Sequence, residues 1–276
     1  IHERLVGSEM CIRDRYKIIA MDFDGTLLTD DKKVSPKTEK VLRELKKEGY
    51  YIVGATARTL DGLRDVVPID MFNYIIINNG VSIYNPEEDT DEWMGFLEQQ
   101  EAEKITKAVE EYATQIDIIS GNKYYIYKQK KKSNLPFIID IDSVSEVHEK
   151  IARMNIFLKS GEEARKHYKW ISTNFPDINC FVMQDSKDDR QWLIINPQNI
   201  NKSHTLKHLG DNLGVSSEEM IFFGDGLNDL EIIESVGLGV AMGNALPEVK
   251  DQAKAVTTSN EEDGIAEFVL TLKKKR

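Results

Sequence analysis

The stretch Ile18–Thr26 constrains the fold more than any other part of this 276-residue chain. Its first four residues are apolar, a run typical of a strand buried on both faces in a parallel sheet. Asp22 and Asp24 follow where that strand would end, and Gly25 then allows a tight turn. Because open α/β sheets bind ligands beyond the carboxyl ends of their strands, the two carboxylates are candidates for a binding edge. Taken alone, the stretch also fits an acidic surface turn.

Four later apolar runs repeat this arrangement of a strand followed by small or polar residues. They are Tyr50–Val53 before Gly54–Arg58, Tyr74–Ile77 before Asn78–Gly80, Met220–Phe223 before Gly224–Asp229, and Leu238–Ala241 before Met242–Asn244. Between the first two strands, Ser35 and Pro36 mark the start of a helix. The pattern predicts an α/β protein with a Rossmann-like, doubly wound parallel sheet and right-handed crossovers.

The pattern changes between residues 86 and 196, where polar helices and alternating strands replace the parallel units. The segments 116–119 and 124–127 are typical of a hairpin, because a short polar turn separates them. This block is about the size of a small domain. We therefore expect an α/β core at 16–85 and 197–276 and an inserted α+β cap at 86–196.

Composition limits the class of protein. No apolar run approaches the roughly 20 residues that cross a bilayer, and the net charge of -11 argues against nucleic acid as the main partner. Cys11 and Cys180 are too few for a disulfide framework, which favours a cytoplasmic location. Residues 1–15 fit neither the following pattern nor a signal peptide, so we expect a non-native leader there.

The predicted strand ends bring together a set of groups suited to phosphate chemistry. Carboxylates bind hard cations such as Mg²⁺, whereas an ammonium and backbone N–H groups neutralise phosphate oxygens. One carboxylate would remain to attack phosphorus. The residues at these ends are Asp22, Asp24, Thr56, Asn79, Asp225, Asn228 and Asp229, and Lys202 comes just before a predicted helix.

With these motifs the chain resembles the haloacid dehalogenase superfamily of phosphatases. Within it, the inserted block resembles the cap of the Cof-type branch, type IIB. The motifs that carry the resemblance are Asp22-Phe23-Asp24-Gly25-Thr26 and Gly224-Asp225-Gly226-Leu227-Asn228-Asp229, in this order. The resemblance extends from residue 16 to the end of the chain.

The resemblance implies a role for each matching residue. Asp22 would be the nucleophile that forms an aspartyl-phosphate, and Asp24 would protonate the leaving alcohol and then activate water. Asp22, the backbone carbonyl of Asp24 and Asp225 would hold Mg²⁺, while Asp229 would act through a water or by fixing Lys202. The residues assigned to phosphate or substrate binding are Phe23, Thr56, Ala57, Lys202 and Asn228.

Two positions depart from the family pattern. Ala57 replaces the glycine of the usual Thr-Gly-Arg motif, so its methyl group could alter the approach of phosphate to its N–H. Ser203 replaces the glycine that usually follows the lysine, and serine is a good helix N-cap. Arg58 either contacts substrate or braces its loop, and Asn79 is favoured as a substrate contact.

The expected function is Mg²⁺-dependent hydrolysis of a small phosphorylated metabolite, with sugar phosphates favoured. A phosphomutase using the same aspartyl-phosphate is the alternative, and a catalytically silent binding protein is disfavoured because the acidic motifs and the lysine are all present. Neither nucleic acid nor membrane is expected as a partner, and the oligomeric state stays open. Several other residues are expected to have no catalytic role: the surface histidines His204 and His208, the solvated lysines Lys128 and Lys130–Lys132, and the packing residues Trp93, Trp170 and Trp192.

Overall fold

The computed structural model describes residues 15–121, 123–128, 138–184 and 191–274. All but the last residue of the expected leader, and the lysines at 130–132, lie outside these ranges. The described residues form two compact units, one within 1–58, 62–92 and 201–276, the other within 59–61 and 93–200.

The two units contain fourteen strands and eight α-helices in the described ranges. The strands are β1 (Ile18–Met21), β2 (Tyr51–Ala55), β3 (Tyr74–Ile77), β4 (Ser82–Asn85), β5 (Thr90–Trp93), β6 (Ala113–Ser120), β7 (Lys123–Tyr127), β8 (Ile138–Ile141), β9 (Ile151–Leu158), β10 (Ile178–Gln184), β11 (Gln191–Pro197), β12 (Met220–Gly224), β13 (Leu238–Ala241) and β14 (Ala255–Val256). The helices are α1 (Pro36–Lys47), α2 (Asp61–Arg64), α3 (Gln99–Val109), α4 (Gly161–Asn174), α5 (Lys202–Leu213), α6 (Leu230–Ser235), α7 (Pro247–Gln252) and α8 (Gly264–Lys274). None of the described helices combines the length and the apolar character needed to cross a bilayer.

The first unit is built on an eight-stranded sheet in the order β14-β13-β12-β1-β2-β3-β4-β5. Strand β1 lies between β12 and β2 and is parallel to both, with Ile18 opposite Met220 on one side and Tyr51 on the other. Every residue of β1 is buried, as expected for a strand covered on both faces. The predicted α/β fold with a parallel, doubly wound core is confirmed, and the carboxyl ends of β1, β2 and β12 lie at one edge.

The second unit is built on a six-stranded sheet in the order β10-β11-β9-β6-β7-β8. Its neighbouring strands are antiparallel except for β7 and β8, and the predicted hairpin is formed by β6 and β7, with Ile116 opposite Tyr127. Ile105 of α3 and Ile171 of α4 are buried in one core cluster with the strand residues Ile118 and Met154. The inserted α+β unit is therefore present as predicted.

The boundaries of the second unit differ from those that the sequence pattern indicated. The predicted cap began at residue 86, whereas the long segment of the second unit begins at Trp93, because β4 pairs antiparallel with β3 and β5 extends the same sheet. The predicted cap ended at 196, but Pro197 still pairs with Ile178 and the second unit continues to Ile200.

Candidate active site

Carboxylates from two neighbouring strand ends meet at the carboxyl edge of the first sheet. Asp22 directly follows β1, and its backbone N–H donates to the carbonyl oxygen of Phe223 at 3.0 Å, which extends the ladder with β12. Asp225 directly follows β12, and Asp229 lies in the short helical turn beyond it. Oxygens of Asp22, Asp225 and Asp229 lie within 4.8 Å of one another. We call these three residues the acidic cluster.

Lys202 places one positive charge against the acidic cluster. Its Nζ lies 2.5 Å from Oδ1 of Asp22 and 3.1 Å from Oδ1 of Asp229, and the side chain is almost fully buried. Lys202 is the first residue of α5, a helix capped by Asn201, whose side chain accepts a hydrogen bond from a backbone N–H in the first turn. The loop after β3 approaches this helix start closely: a Cβ on Gly80 would lie 2.3 Å from the carbonyl carbon of Asn201.

Asp229 joins the lysine to the loop that follows β12. Its Oδ2 accepts hydrogen bonds from the backbone N–H groups of Asp225 and Gly226, at 3.2 and 3.3 Å, while its Oδ1 accepts from Lys202. The side chain is fully buried. Of the two roles expected for Asp229, fixing Lys202 is the one that this geometry supports.

The electrostatics of the acidic cluster favour a bound cation. Burial raises the pKa of Asp22 to about 7, although Lys202 opposes the shift, and the other two carboxylates add to it. Burial also raises the pKa of Asp225, partly offset by a hydrogen bond of 2.9 Å from the Thr26 hydroxyl. Burial lowers the pKa of Lys202, but Asp22 and Asp229 outweigh it and keep the ammonium protonated. Three carboxylates therefore face one ammonium, and an oxygen-only donor set with excess negative charge fits a hard divalent cation.

Binding of Mg²⁺ is expected to weaken as the pH falls, because Asp22 must lose its proton before it can act as a ligand. The pKa of Asp22 is about 7 in the folded protein, against an ordinary value of 3.8. The metal-free protein therefore also loses stability as the pH rises from 3.8 to about 7. We expect the dissociation constant, measured by calorimetry, to rise about tenfold per pH unit below neutrality. An unchanged constant between about pH 8 and about pH 5.5 would contradict this coupling.

Gly25 is required by the close approach of its loop to Asp225. Its φ is +80°, a conformation that side chains rarely adopt, and a Cβ there would lie 2.4 Å from Oδ2 of Asp225. We expect Gly25→Ala to displace that carboxylate and to lower both kcat and the affinity for Mg²⁺ by at least about tenfold. Gly214→Ala is the matched control, since Gly214 has a φ of +66° but no atom within 4 Å of the added methyl group. If Gly214→Ala lowered kcat and the affinity for Mg²⁺ as much as Gly25→Ala did, backbone strain would explain the loss, and displacement of Asp225 would not.

Asp24 lies in a different electrostatic setting from the acidic cluster. Arg58 donates to both of its carboxylate oxygens at 2.7 Å, and Lys32 Nζ donates to Oδ1 at 2.8 Å. Burial raises the pKa of Asp24, but the hydrogen bonds from Arg58 and Lys32 outweigh it and hold the pKa below its usual value. The side chain is thus an ionised carboxylate held by two cations, and only its backbone carbonyl stays a candidate metal ligand. Sequence reasoning missed Lys32, and it left open the alternatives for Arg58.

The loop after β2 is held against the end of β3. The Thr56 N–H donates to the carbonyl oxygen of Ile76, and the Asn79 N–H donates to that of Thr56, both at 2.8 Å. The Thr56 hydroxyl accepts from the Arg58 N–H at 3.0 Å. Thr56 is buried, whereas Ala57 is exposed, so the methyl group that departs from the family pattern points away from the packed core.

Asn78 is a buried polar residue that the sequence analysis did not single out. It is fully buried, its φ is +53°, and its side-chain amide has no hydrogen-bond partner in the described part of the chain. An unpaired buried amide costs about 1–3 kcal/mol. The sequence signal that could have identified Asn78 was its position at a strand end, because asparagine tolerates a left-handed conformation there.

The remaining predicted site residues fall into two environments. The Phe23 ring is fully buried, 5.4 Å from the ring of Phe72, so a phosphate-binding role for Phe23 can rest only on its backbone amide. Asn228 is exposed in the loop after β12. His208 lies 2.8 Å from Glu92 at the surface, and no histidine of the described residues belongs to a three-residue metal-binding cluster.

Comparisons with known proteins agree with this architecture. The model of the haloacid dehalogenase-like hydrolase family matches residues 19–269. The 5-amino-6-(5-phospho-D-ribitylamino)uracil phosphatases YitU and YcsE of Bacillus subtilis are similar to this chain. YitU is 27% identical over 263 residues, covering 91% of this chain and 96% of YitU, and YcsE is 29% identical over 260 residues, covering 92% and 94%.

A solved structure extends the similarity to the fold. The crystal structure of a haloacid dehalogenase-like hydrolase from Bacteroides thetaiotaomicron aligns with a TM-score of 0.79 at 26% identity, covering 94% of this chain and 100% of that chain. The predicted resemblance and the predicted enzyme class, a hydrolase of the phosphatase type, are confirmed. This chain belongs to the haloacid dehalogenase-like hydrolases.

Proposed function

We propose that this protein is a Mg²⁺-dependent phosphatase that hydrolyses a small phosphorylated metabolite through an aspartyl-phosphate on Asp22. The observation that carries the proposal is the acidic cluster with Lys202 at 2.5 Å from Asp22. This cluster provides a carboxylate nucleophile, an oxygen-only cation site and one fixed ammonium at a single strand edge. Phosphoryl transfer depends on such positioning and on stabilisation of charge on the phosphoryl oxygens.

In the first half of the proposed reaction, a carboxylate oxygen of Asp22 forms a bond to phosphorus as the bond to the leaving alcohol breaks. The alcohol takes a proton from Asp24. In the second half, water gives a proton back to Asp24 and attacks phosphorus, and the bond to Asp22 breaks to release inorganic phosphate. Each step balances in atoms and charge, and the two steps together return Asp24 to the protonated form in which it entered the first of them.

The protein's own groups would hold the metal and the phosphoryl oxygens in both halves of the proposed reaction. Asp22, Asp225 and the backbone carbonyl of Asp24 would hold Mg²⁺, which when bound lowers the pKa of both carboxyl groups and offsets phosphate charge. Lys202 contributes a second, permanent positive charge. The groups proposed to hold the other phosphoryl oxygens are the Thr56 hydroxyl, the Asn228 side chain and the backbone N–H groups of Phe23 and Ala57.

Asp24 can act as an acid only after its two cationic partners move. Its carboxylate is ionised while Arg58 and Lys32 hold it. The proposed cycle therefore begins with release of Arg58 and Lys32 from Asp24 when substrate binds, since a negatively charged phosphate ester offers these cations another anion. Asp24 then takes up one proton from solvent, the proton that it gives to the leaving alcohol and recovers from water in the second half. Arg58 would thus brace its loop before substrate binds and contact the substrate afterwards, the two roles that the sequence left open.

The experiment that tests the proposal measures inorganic phosphate released from a panel of phosphorylated metabolites, with and without Mg²⁺. The panel contains hexose and pentose phosphates, and 5-amino-6-(5-phospho-D-ribitylamino)uracil because two relatives are named for it. Mg²⁺-dependent release from at least one compound is expected. Positional isomerisation of a hexose phosphate without phosphate release would instead establish a phosphomutase.

A further inference from the structure

Gly25 has more conformational freedom than its neighbours in the loop after β1, because glycine lacks a side chain. It lies between Asp24, whose backbone carbonyl is a proposed Mg²⁺ ligand, and Thr26, whose hydroxyl donates to Oδ1 of Asp225 at 2.9 Å. The hydrogen bond from the Thr26 N–H to the carbonyl oxygen of Phe23, which spans Gly25, is long at 3.3 Å. A rotation about Gly25 would therefore move the Asp24 carbonyl relative to Asp225 unless other contacts hold the loop.

The loop after β13, residues 242–246, contacts both of the loops that carry proposed Mg²⁺ ligands. The Asn244 side chain donates from Nδ2 to the carbonyl oxygen of Gly25 at 2.7 Å. Two residues later, the Leu246 N–H donates to the backbone carbonyl oxygen of Asp225 at 3.2 Å. The loop after β1 and the loop after β12 are therefore both hydrogen-bonded to a third loop, which contributes no proposed ligand itself.

Asn260, in the segment after β14, connects Asn244 to a second point of the loop after β1. Its backbone N–H donates to Oδ1 of Asn244 at 3.1 Å, and its Nδ2 donates to the carbonyl oxygen of Leu28 at 2.9 Å. Asn260 is buried, with 7% of its surface exposed. The Leu28 N–H in turn donates to the carbonyl oxygen of Phe23 at 2.8 Å. A continuous chain of hydrogen bonds therefore joins the carbonyls of Gly25 and Leu28 through two asparagines, which we call the amide pair.

The backbone that carries Asn244 is itself held in place. The N–H of the preceding residue, Gly243, donates to the carbonyl oxygen of Thr258 at 3.0 Å, and the Gly243 carbonyl accepts from Nζ of Lys250 at 2.6 Å. Gly243 also packs closely, since a Cβ there would lie 2.7 Å from the backbone nitrogen of Ser259. A side chain on a backbone held in this way can fix a neighbouring loop precisely. All of these residues lie in the first unit.

Resting on the proposed phosphatase function, we propose that the amide pair positions the cation site. Asn244, held by Asn260, would fix the conformation of Gly25 and, through it, the direction of the Asp24 backbone carbonyl. The two asparagines are positioning residues, because neither is proposed to touch Mg²⁺ or substrate. Groups that hold a metal ligand in place commonly change the affinity of the site although they do not bind the metal.

The test measures Mg²⁺ binding and loop protection in Asn244→Ala, in Asn260→Ala and in the double variant. Calorimetry gives the dissociation constant for Mg²⁺, which we expect to rise at least about threefold in each single variant, the effect of one lost hydrogen bond. Because both asparagines act through one chain, the double variant should bind Mg²⁺ within about twofold of the weaker single variant. Hydrogen exchange of the metal-free protein should become faster in the peptide that covers residues 22–28.

Thr257→Val is the matched control, because it removes a hydrogen bond from the same C-terminal segment without removing a contact to the loop after β1. The Thr257 hydroxyl donates to the carbonyl oxygen of Gly264 at 2.7 Å. This variant should lower the melting temperature of the metal-free protein and leave both the Mg²⁺ dissociation constant and the exchange of residues 22–28 unchanged. If burial of Asn260 prevents Asn260→Ala from folding, Asn244→Ala decides the question, since the Asn244 side chain is exposed.

An unchanged Mg²⁺ dissociation constant for Asn244→Ala would overturn the inference, whatever the change in melting temperature or exchange, because it would make the amide pair a structural contact only. Mg²⁺-dependent release of phosphate by the wild-type protein would be unaffected by that result, so the proposed function would stand. If the wild-type protein bound no Mg²⁺ and released no phosphate from any ester, the proposed function and this inference would both be wrong.

Discussion

Replacing Asp22 by Asn is expected to abolish turnover while the protein stays folded. Asparagine has nearly the same size, but its amide is not an equivalent nucleophile towards phosphorus. Lys202 would keep its contact with Asp229, at 3.1 Å, so the substitution does not leave a buried ammonium without a partner. We expect kcat to fall more than about 100-fold, the usual scale for loss of a nucleophile. Release of inorganic phosphate gives the rate, and circular dichroism with thermal melting reports the fold.

Asp31→Asn provides the control for Asp22→Asn. Asp31 is an exposed carboxylate in the same connecting segment after β1, outside the acidic cluster. Its substitution removes the same charge and should leave kcat unchanged. If Asp22→Asn retained more than about a hundredth of wild-type kcat, a covalent role for Asp22 would be excluded.

Removal of divalent cations is expected to lower kcat about as much as Asp22→Asn does. Without a cation, three carboxylates share a single ammonium, and the pKa of Asp22 rises to about 7 through burial and its acidic neighbours. Dialysis against EDTA should therefore abolish phosphate release, and Mg²⁺ should restore it. Ca²⁺ should compete without supporting activity, because it prefers more ligands and longer bonds than octahedral Mg²⁺.

Thermal melting of the same dialysed sample is the matched measurement, because it reports whether the protein is folded. The melting temperature should rise on addition of either cation, since both bind the folded protein, whereas only Mg²⁺ should restore turnover. Full activity in EDTA would contradict a cation requirement. Equal activity with Ca²⁺ would contradict the expectation that the site discriminates between Mg²⁺ and Ca²⁺.

Much of the first unit could be predicted because its signals are local. Each parallel strand is a short apolar run, and the residues that follow it leave the sheet at the same edge. For this reason Asp22, Asp225 and Lys202 could be placed near one another before their distances were known. The roles of these residues are proposals, whereas the proximity of Asp22 and Asp225 follows from the pairing of β1 with β12.

The boundaries of the inserted unit could not be predicted in the same way. Residues 86–92 have a turn and a polar strand, a composition that fits either unit. Their assignment depends on the antiparallel pairing of β3 with β4, in which Ile76 lies opposite Ile83, and on β5 extending that edge. This pairing depends on tertiary contacts, and the residues of β4 alone do not specify it.

The partners of Asp24 were equally hidden from sequence reasoning. Arg58 is 34 positions away along the chain, and Lys32 lies in a loop without a regular pattern. Both contacts depend on how two loops fold over the sheet edge. The position of Asp117 opposite Asn155 in the second sheet has the same origin, since it depends on the register between β6 and β9.

The central claim, that Asp22 carries the phosphoryl group, is tested most directly by trapping the intermediate. Asp24→Asn should slow the attack of water more than the departure of a good leaving group such as p-nitrophenolate, which needs no proton from an acid. Rapid acid quenching of this variant with p-nitrophenyl phosphate and Mg²⁺, followed by peptide mass spectrometry, locates the phosphoryl group. We expect phosphorylation of Asp22, and none when Asp22→Asn is added. Turnover of the ester with no phosphorylated peptide, or with the phosphoryl group on another residue, would contradict it.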